Sequence, residues 1–340
     1  MISYHSLLIW LLSKRLYLSN MSLPRFLQEV TTSNSKLSSR VLAGKYAKIN
    51  EIENTNLKGW ETPAHPYCVL EALKESNLPK NRYSDIIPYD RNRIKLQEVR
   101  SNMTDYINAS YVAVPNSDRE YIATQGPKPN TIGDFWQMVW EQRSRVIVML
   151  TKVEESGRIK CEPYWPTTTQ ACLNFPEFGL TISMLEEKYI ADDNCIVRVL
   201  RLKRSTPSQD GVQELTVTQY HTLDWPDHGV QSHPQSILDL IKLSNQEQKK
   251  YELDSQANGF KCGPVVVHCS AGCGRTGTFC TIDTALSLLP KLEDDSIDII
   301  FGIVMKFREQ RRIMVQTAKQ YEFCYVALLT ELLSRNKSSH

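Results

Sequence analysis

The chain lacks several things, and each absence excludes something. Its nine cysteines include no Cys-x-x-Cys pair, which argues against a disulfide scaffold or a structural zinc site and fits a reducing compartment. Residues 6–12 form an apolar run, but Lys14 and Arg15 follow it, and a bilayer span needs about 20 residues, so no membrane span is expected. The charges follow the run rather than precede it, unlike those of a signal peptide. Charge of one sign is also missing. The net charge is +2, so the surface as a whole is not built to bind a polyanion, and nucleic acid is not an expected partner. No internal repeat and no Pro/Gly/Ser-rich linker divides the chain, so a single domain is the simplest organisation. Hydrophobic residues at 41% and charged residues at 23% are ordinary for a soluble globular protein.

The informative stretch is GPVVVHCSAGCGRTGTFC, residues 263–280. Val265, Val266 and Val267 read as a short buried strand, and from Thr278 the apolar spacing becomes helical. The loop between them carries Gly272 and Gly274. A strand turning into a helix through such a loop aims backbone N–H groups at one point, where the helix dipole also favours an anion. Cys269 opens the loop and Arg275 ends it. The same N–H groups stabilise a thiolate at Cys269, making it a nucleophile, while Arg275 offers a planar fork to two phosphate oxygens. The backbone of Ser270, Ala271, Gly272, Cys273 and Gly274 would cradle that phosphate. A metal cluster of His268, Cys269 and Cys273 is the competing reading, but three neighbours in one tight loop do not make a ligand set. No metal and no cofactor are expected.

HCSAGCGRTG resembles the signature loop of the protein tyrosine phosphatases, specifically the classical, tyrosine-specific non-receptor group. The resemblance runs through other segments in the family's order, over roughly residues 75–335. It implies an α/β (α+β) fold, a single domain with a highly twisted mixed β-sheet flanked by helices. In NRYSDIIPYD the family's recognition loop places Tyr83 as a wall of a deep pocket, Asp85 on the substrate backbone and Ile86 as an apolar contact. Trp225-Pro226-Asp227 matches the mobile acid loop, with Asp227 as general acid and Trp225 as hinge anchor. Val315-Gln316-Thr317 matches the water-positioning glutamine, with Gln320 as a second amide. Glu155 would buttress Arg275, Lys160 would approach the acid loop, and Thr276 would stabilise the regenerated thiolate. His268 is either a neutral structural residue that helps lower the cysteine pKa or a second base; the structural role is favoured. Asn108 and Gln125 read as polar residues satisfying buried backbone groups.

The implied activity is hydrolysis of phosphotyrosine in proteins through a cysteinyl-phosphate intermediate, by a soluble, cytoplasmic, monomeric signalling enzyme. Kinase activation loops are candidate substrates. A dual-specificity phosphatase would lack the recognition loop. A phosphoinositide phosphatase would carry lysines where Ala271, Cys273 and Gly274 stand. A non-catalytic phosphotyrosine-binding module would have lost the cysteine, arginine or acid.

Elsewhere the pattern predicts strands at 105–114, 121–127, 146–150, 180–190, 196–202 and 214–223, the later ones forming an antiparallel edge. It predicts helices at 131–141, capped by Thr131 and Asp134, and at 235–251, followed by three more after the loop. Residues 1–40 are expected to be a poorly ordered leader, with Met21 as an alternative start. Residues 14–18 faintly resemble a kinase-docking motif, though a disordered tail is favoured there. The catalytic domain is expected over 41–335 and a polar tail over 336–340.

Overall fold

The computed structural model describes residues 23–31, 37–97, 104–167, 170–190, 194–205, 212–226, 229–231 and 233–337. Residues 23–31, expected in the leader, instead form a packed strap. A short helix, α1 (Arg25–Glu29), seats Phe26, Leu27 and Val30 fully in the core, and the Phe26 N–H donates to Asp295 O at 3.0 Å. Helix α2 (Ser39–Asn56) begins where Ser38 Oγ accepts from the Val41 N–H, and it buries Leu42, Ile49 and Glu53 along one face. The expected boundary at residue 40 therefore falls inside the packed domain. The docking-like segment at 14–18 and the Met21 start lie outside the described residues.

The strands are β1 (Arg93–Lys95), β2 (Tyr106–Ala113), β3 (Glu120–Thr124), β4 (Val146–Met149), the hairpin β5 (Glu154–Glu155) and β6 (Arg158–Ile159), β7 (Cys172–Phe175), β8 (Leu180–Ile190), β9 (Cys195–Ser205), β10 (Val212–Thr222) and β11 (Val265–His268). All but the hairpin join one sheet of order β1-β2-β3-β11-β4-β10-β9-β8-β7. Its centre, β3-β11-β4-β10, is parallel, and both flanks are antiparallel. Helices cover both faces of the centre, which explains the unbroken apolar runs of β4 and β11. Val265 and Val267 face one core and Val266 the other; Val146 and Val148 oppose Ile147 and Met149 in the same way.

On one side lies α3 (Ile132–Glu141), with Phe135 and Trp136 buried. Its expected cap is used differently. Thr131 Oγ1 accepts from the Lys128 N–H at 2.9 Å, while the buried Asp134 pairs with Lys80 at 3.0 Å. On the other side pack α4 (Pro234–Ala257), α5 (Gly274–Leu288), α6 (Ile299–Arg308) and α7 (Ala318–Lys337). Helix α7 runs two residues into the expected polar tail. The parallel centre delivers β11 to its C-terminal end beside β3 and β4, and the phosphate-type loop opens there.

Candidate active site

Every turn of the 269–275 loop is held from behind. Gly272 has φ +71°, and a Cβ there would stand 2.1 Å from Thr124 O, so only glycine fits. The fully buried Arg311 donates from Nε to Gly272 O at 2.7 Å and from Nη2 to Ala271 O at 2.9 Å. It also binds Asn108 Oδ1 and Ser110 Oγ. With those carbonyls drawn outward, the loop amides turn inward, and the Gly272 N–H reaches Cys269 Sγ at 3.3 Å. Nothing in the sequence assigned Arg311 a function. Its only signal is an arginine pair in QRRIMVQT, of which it is the first, and such a pair is indistinguishable from surface charge.

Burial alone would raise the Cys269 thiol. The Arg275 charge, the Thr276 hydroxyl and the N–H groups of Thr276 and Cys273 outweigh it, so the pKa lies below the ordinary cysteine value. Thr276 Oγ1 is buried and makes no hydrogen bond of ordinary geometry, leaving its proton for the sulfur. Arg275 forks onto Glu155, with Nη1 to Oε1 at 2.6 Å and Nη2 to Oε2 at 2.7 Å. Its Nη1 also donates to Leu150 O and Trp225 O, at 2.9 and 3.1 Å. Burial disfavours the Glu155 carboxylate, but bonds from Arg275, Thr151 and the Lys152 N–H lower its pKa below the usual value.

His268 lies wholly inside, and burial, with Arg82 adding, lowers its pKa to about 4, so the ring is neutral. Nδ1 faces Cys269 O at 3.1 Å, and a carbonyl only accepts, so Nδ1 carries the proton. Nε2 then accepts from Tyr164 Oη at 2.7 Å, and Tyr164 Oη accepts from Gln219 Nε2 at 2.6 Å. Both ring nitrogens are engaged, which favours the structural reading over a second base. Arg198 stands behind this chain. Its Nη1 donates to Gln219 Oε1 at 2.9 Å and to His221 Nδ1 at 3.2 Å, and His221 Nε2 donates to Thr151 O at 2.9 Å. Thr151 Oγ1 completes a second route by donating to Glu155 at 3.0 Å. Sequence reasoning missed this relay, although a signal existed. Gln219 and His221 continue the face on which Leu215 and Val217 are apolar, and a polar pair on a buried face implies a satisfied network.

A cavity of about 410 Å3 opens above Cys269. Tyr83 forms one wall, its hydroxyl 2.9 Å from Ser270 Oγ, and Ser270 Oγ donates to Lys160 O at 2.9 Å. Asp85, Ile86, Gln316 and Gln320 also line it. Asn108 and Gln125 act as expected from their polarity. Gln125 accepts from the Arg82 N–H at 2.8 Å and donates to Lys80 O at 2.7 Å, and Asn108 donates to Ile86 O at 2.8 Å. Both amides pin the recognition loop. Arg82 adds bonds to the carbonyls of Gly126, Pro127 and Ile159.

Asp227 lies outside the described residues. Its neighbours are placed: Trp225 is buried against Phe323, Trp225 Nε1 donates to Gly229 O at 3.1 Å, and Gln320 Nε2 approaches the same oxygen at 3.4 Å. Gln231 is buried, with Nε2 3.4 Å from Thr222 Oγ1. Gln316 packs over the loop, where a Cβ on Gly274 would stand 3.0 Å from its Oε1. Among the described residues, no group of three His, Cys, Asp or Glu side chains is placed to hold a metal ion.

Residues 77–330 match the family described as protein-tyrosine phosphatase, and the chain belongs to that family, with a classical catalytic domain. Receptor-type tyrosine-protein phosphatase H of Homo sapiens is 40% identical over 266 residues, which cover 78% of this chain and 22% of that protein. Receptor-type tyrosine-protein phosphatase F of Mus musculus is 38% identical over 286 residues, covering 82% and 14% respectively. The chain thus spans under a quarter of the length of these relatives. The catalytic domain of human protein tyrosine phosphatase non-receptor type 18 superposes with a TM-score of 0.70 at 32% identity, covering 86% of this chain and 96% of that one. A structure of the same enzyme with HER2-pY1196 phosphopeptides gives 0.71 at 32%, covering 87% and 94%.

Proposed function

We propose that this chain hydrolyses phosphotyrosine in proteins through a cysteinyl-phosphate intermediate. The observation that carries this is the Cys269 sulfur, with a lowered pKa, beneath inward-facing amides and the Glu155-bound Arg275 at the floor of a cavity walled by Tyr83. A phosphate ester repels nucleophiles by its charge, and the loop amides with Arg275 neutralise its oxygens. The Cys269 thiolate attacks phosphorus, the P–O bond to the tyrosine breaks, and Asp227 protonates the phenolate. In the second step Gln316, with Gln320 beside it, orients water, and Asp227 takes its proton. The P–S bond breaks, and Thr276 receives the returning thiolate. Tyr83 and Ile86 grip the ring, Asp85 the peptide backbone, and Glu155, Lys160 and Trp225 position the charged loops.

The reading extends to a non-receptor, soluble, cytoplasmic enzyme acting as a monomer on signalling substrates such as kinase activation loops. Its support is the likeness of fold to the catalytic domain of the type 18 non-receptor enzyme and nine free thiols, which suit a reducing compartment.

The test is hydrolysis of matched phosphotyrosine and phosphothreonine peptides in EDTA, with Cys269→Ser as control. Phosphotyrosine turnover that vanishes in the variant is expected. Equal rates on both peptides would move the protein to dual specificity, and binding without turnover would make it a phosphotyrosine-binding module.

A further inference from the structure

Gln316 follows a backbone that its own residues disfavour. Ile313 and Val315 have φ of +56° and +63°, a region β-branched side chains avoid. Something outside the segment must hold it there. Helix α2 supplies the hold through Tyr46, Asn50 and Glu53, spaced to share one face. Glu53 Oε1 accepts from the Ile313 N–H at 2.8 Å, and its Oε2 accepts from Arg308 Nη1 at 2.7 Å. Arg308 donates onward from Nε to Met314 O at 2.9 Å and from Nη2 to Val315 O at 2.7 Å, while Asn50 Oδ1 takes a further bond from Nη1 at 2.7 Å. Tyr46 Oη closes the clamp by donating to Gln316 O at 2.5 Å. Glu53 and Arg308 are both buried, so the pair is shielded from water and salt. The segment meets the phosphate-type loop directly, since the Val315 N–H donates to Cys273 O at 3.2 Å.

We propose that Tyr46 and Glu53 of α2, acting through Arg308, are positioning residues for the second half-reaction: they set the Gln316 amide over the phosphocysteine and thereby govern its breakdown, not its formation. This rests on the hydrolytic reading above. In the step concerned, a water oxygen bonds to phosphorus, the P–S bond breaks, Cys269 leaves as thiolate and the water proton goes to the Asp227 carboxylate. None of the clamp residues touches the reacting atoms. They act by fixing where the water is held, and a misplacement of about 1 Å can cost about 100-fold in rate.

The experiment is rapid-quench and stopped-flow turnover of p-nitrophenyl phosphate by the full chain, comparing wild type, Tyr46→Phe and Glu53→Gln. Tyr46→Phe removes one hydroxyl and keeps the ring, and circular dichroism checks that each variant is folded. The expected result is phosphoenzyme formation within about twofold of wild type and breakdown slowed about 10-fold or more. A burst of nitrophenolate and an acid-stable phosphoenzyme would then accumulate in the variants. Glu53→Gln covers the case in which Tyr46→Phe fails to fold, because it removes the charge from the clamp and keeps the side-chain size. A folded variant that slows both steps equally, or leaves breakdown unchanged, overturns the proposal. Absence of any phosphoenzyme in wild type and variants alike, with no nitrophenolate release above the Cys269→Ser blank, would overturn the reaction itself and identify that as the failure.

Discussion

Cys269 has two opposed influences on it, and which wins is a matter of a few neighbouring atoms. Burial favours the neutral thiol, while Arg275, Thr276 and the loop amides favour the thiolate, and the latter prevail. Thr276→Val deletes one of these donors and keeps the shape. Iodoacetamide inactivation of the native chain should therefore titrate below the free-cysteine value of about 8.5, and the Thr276→Val midpoint should move upward. An unchanged midpoint would remove Thr276 from the set of stabilising groups. Thr276 was legible in the sequence because the loop is contiguous. Cys269, Arg275 and the amides between them are fixed within seven residues, so their chemistry follows from local geometry.

At the scale of elements, the strap at 23–31 is the main departure from expectation. Phe26, Leu27 and Val30 are fully buried in the same core cluster as residues of the C-terminal helices, so α1 is part of the domain. Phe26→Ala should cost about 3–5 kcal/mol of stability while leaving phosphatase activity at low temperature near that of wild type. Urea denaturation and a steady-state assay measure the two. A loss below about 0.5 kcal/mol, the range of surface substitutions, would show that the strap is not seated in the core. The sequence hid this element because five helical residues carry too little periodicity to register, and the backbone that ties it down, Asp295 O accepting from the Phe26 N–H, is far away in sequence. The central strands were plain for the opposite reason. Four consecutive apolar residues at 146–149, and three valines ahead of His268, are the mark of a strand covered on both faces.

The whole molecule responds to pH through groups the folded state keeps neutral. Burial, with Arg82 adding, lowers His268 to about 4, and burial with the Arg198 charge lowers His221 to about 3. In the unfolded chain both titrate near 6.5. Between 6.5 and those values the unfolded chain binds more protons, so stability falls as pH drops through this window and is indifferent to these groups above it. Each contributes a slope of about 1.4 kcal/mol per pH unit there. The melting temperature should decline from pH 6.5 toward 4, and His221→Gln should flatten that decline relative to its own value at pH 7. A slope identical to that of wild type would rule out His221 as a contributor.

The sequence by itself singled out Cys269, Arg275 and the two buried central strands at 146–149 and 265–268, because each is written in a short contiguous run whose pattern or local geometry is distinctive. Resemblance added Tyr83, Asp227, Gln316 and Glu155, the last as the partner of Arg275. Only the tertiary structure decided what holds them: Arg311 behind the loop, Arg198 behind His268 and Glu155, and α2 beneath Gln316. Those partners lie up to 270 residues from the groups they serve. A buried charge is chosen by the orphaned carbonyls and carboxylates around it, and that environment exists only once the sheet and its two layers of helices have closed on it.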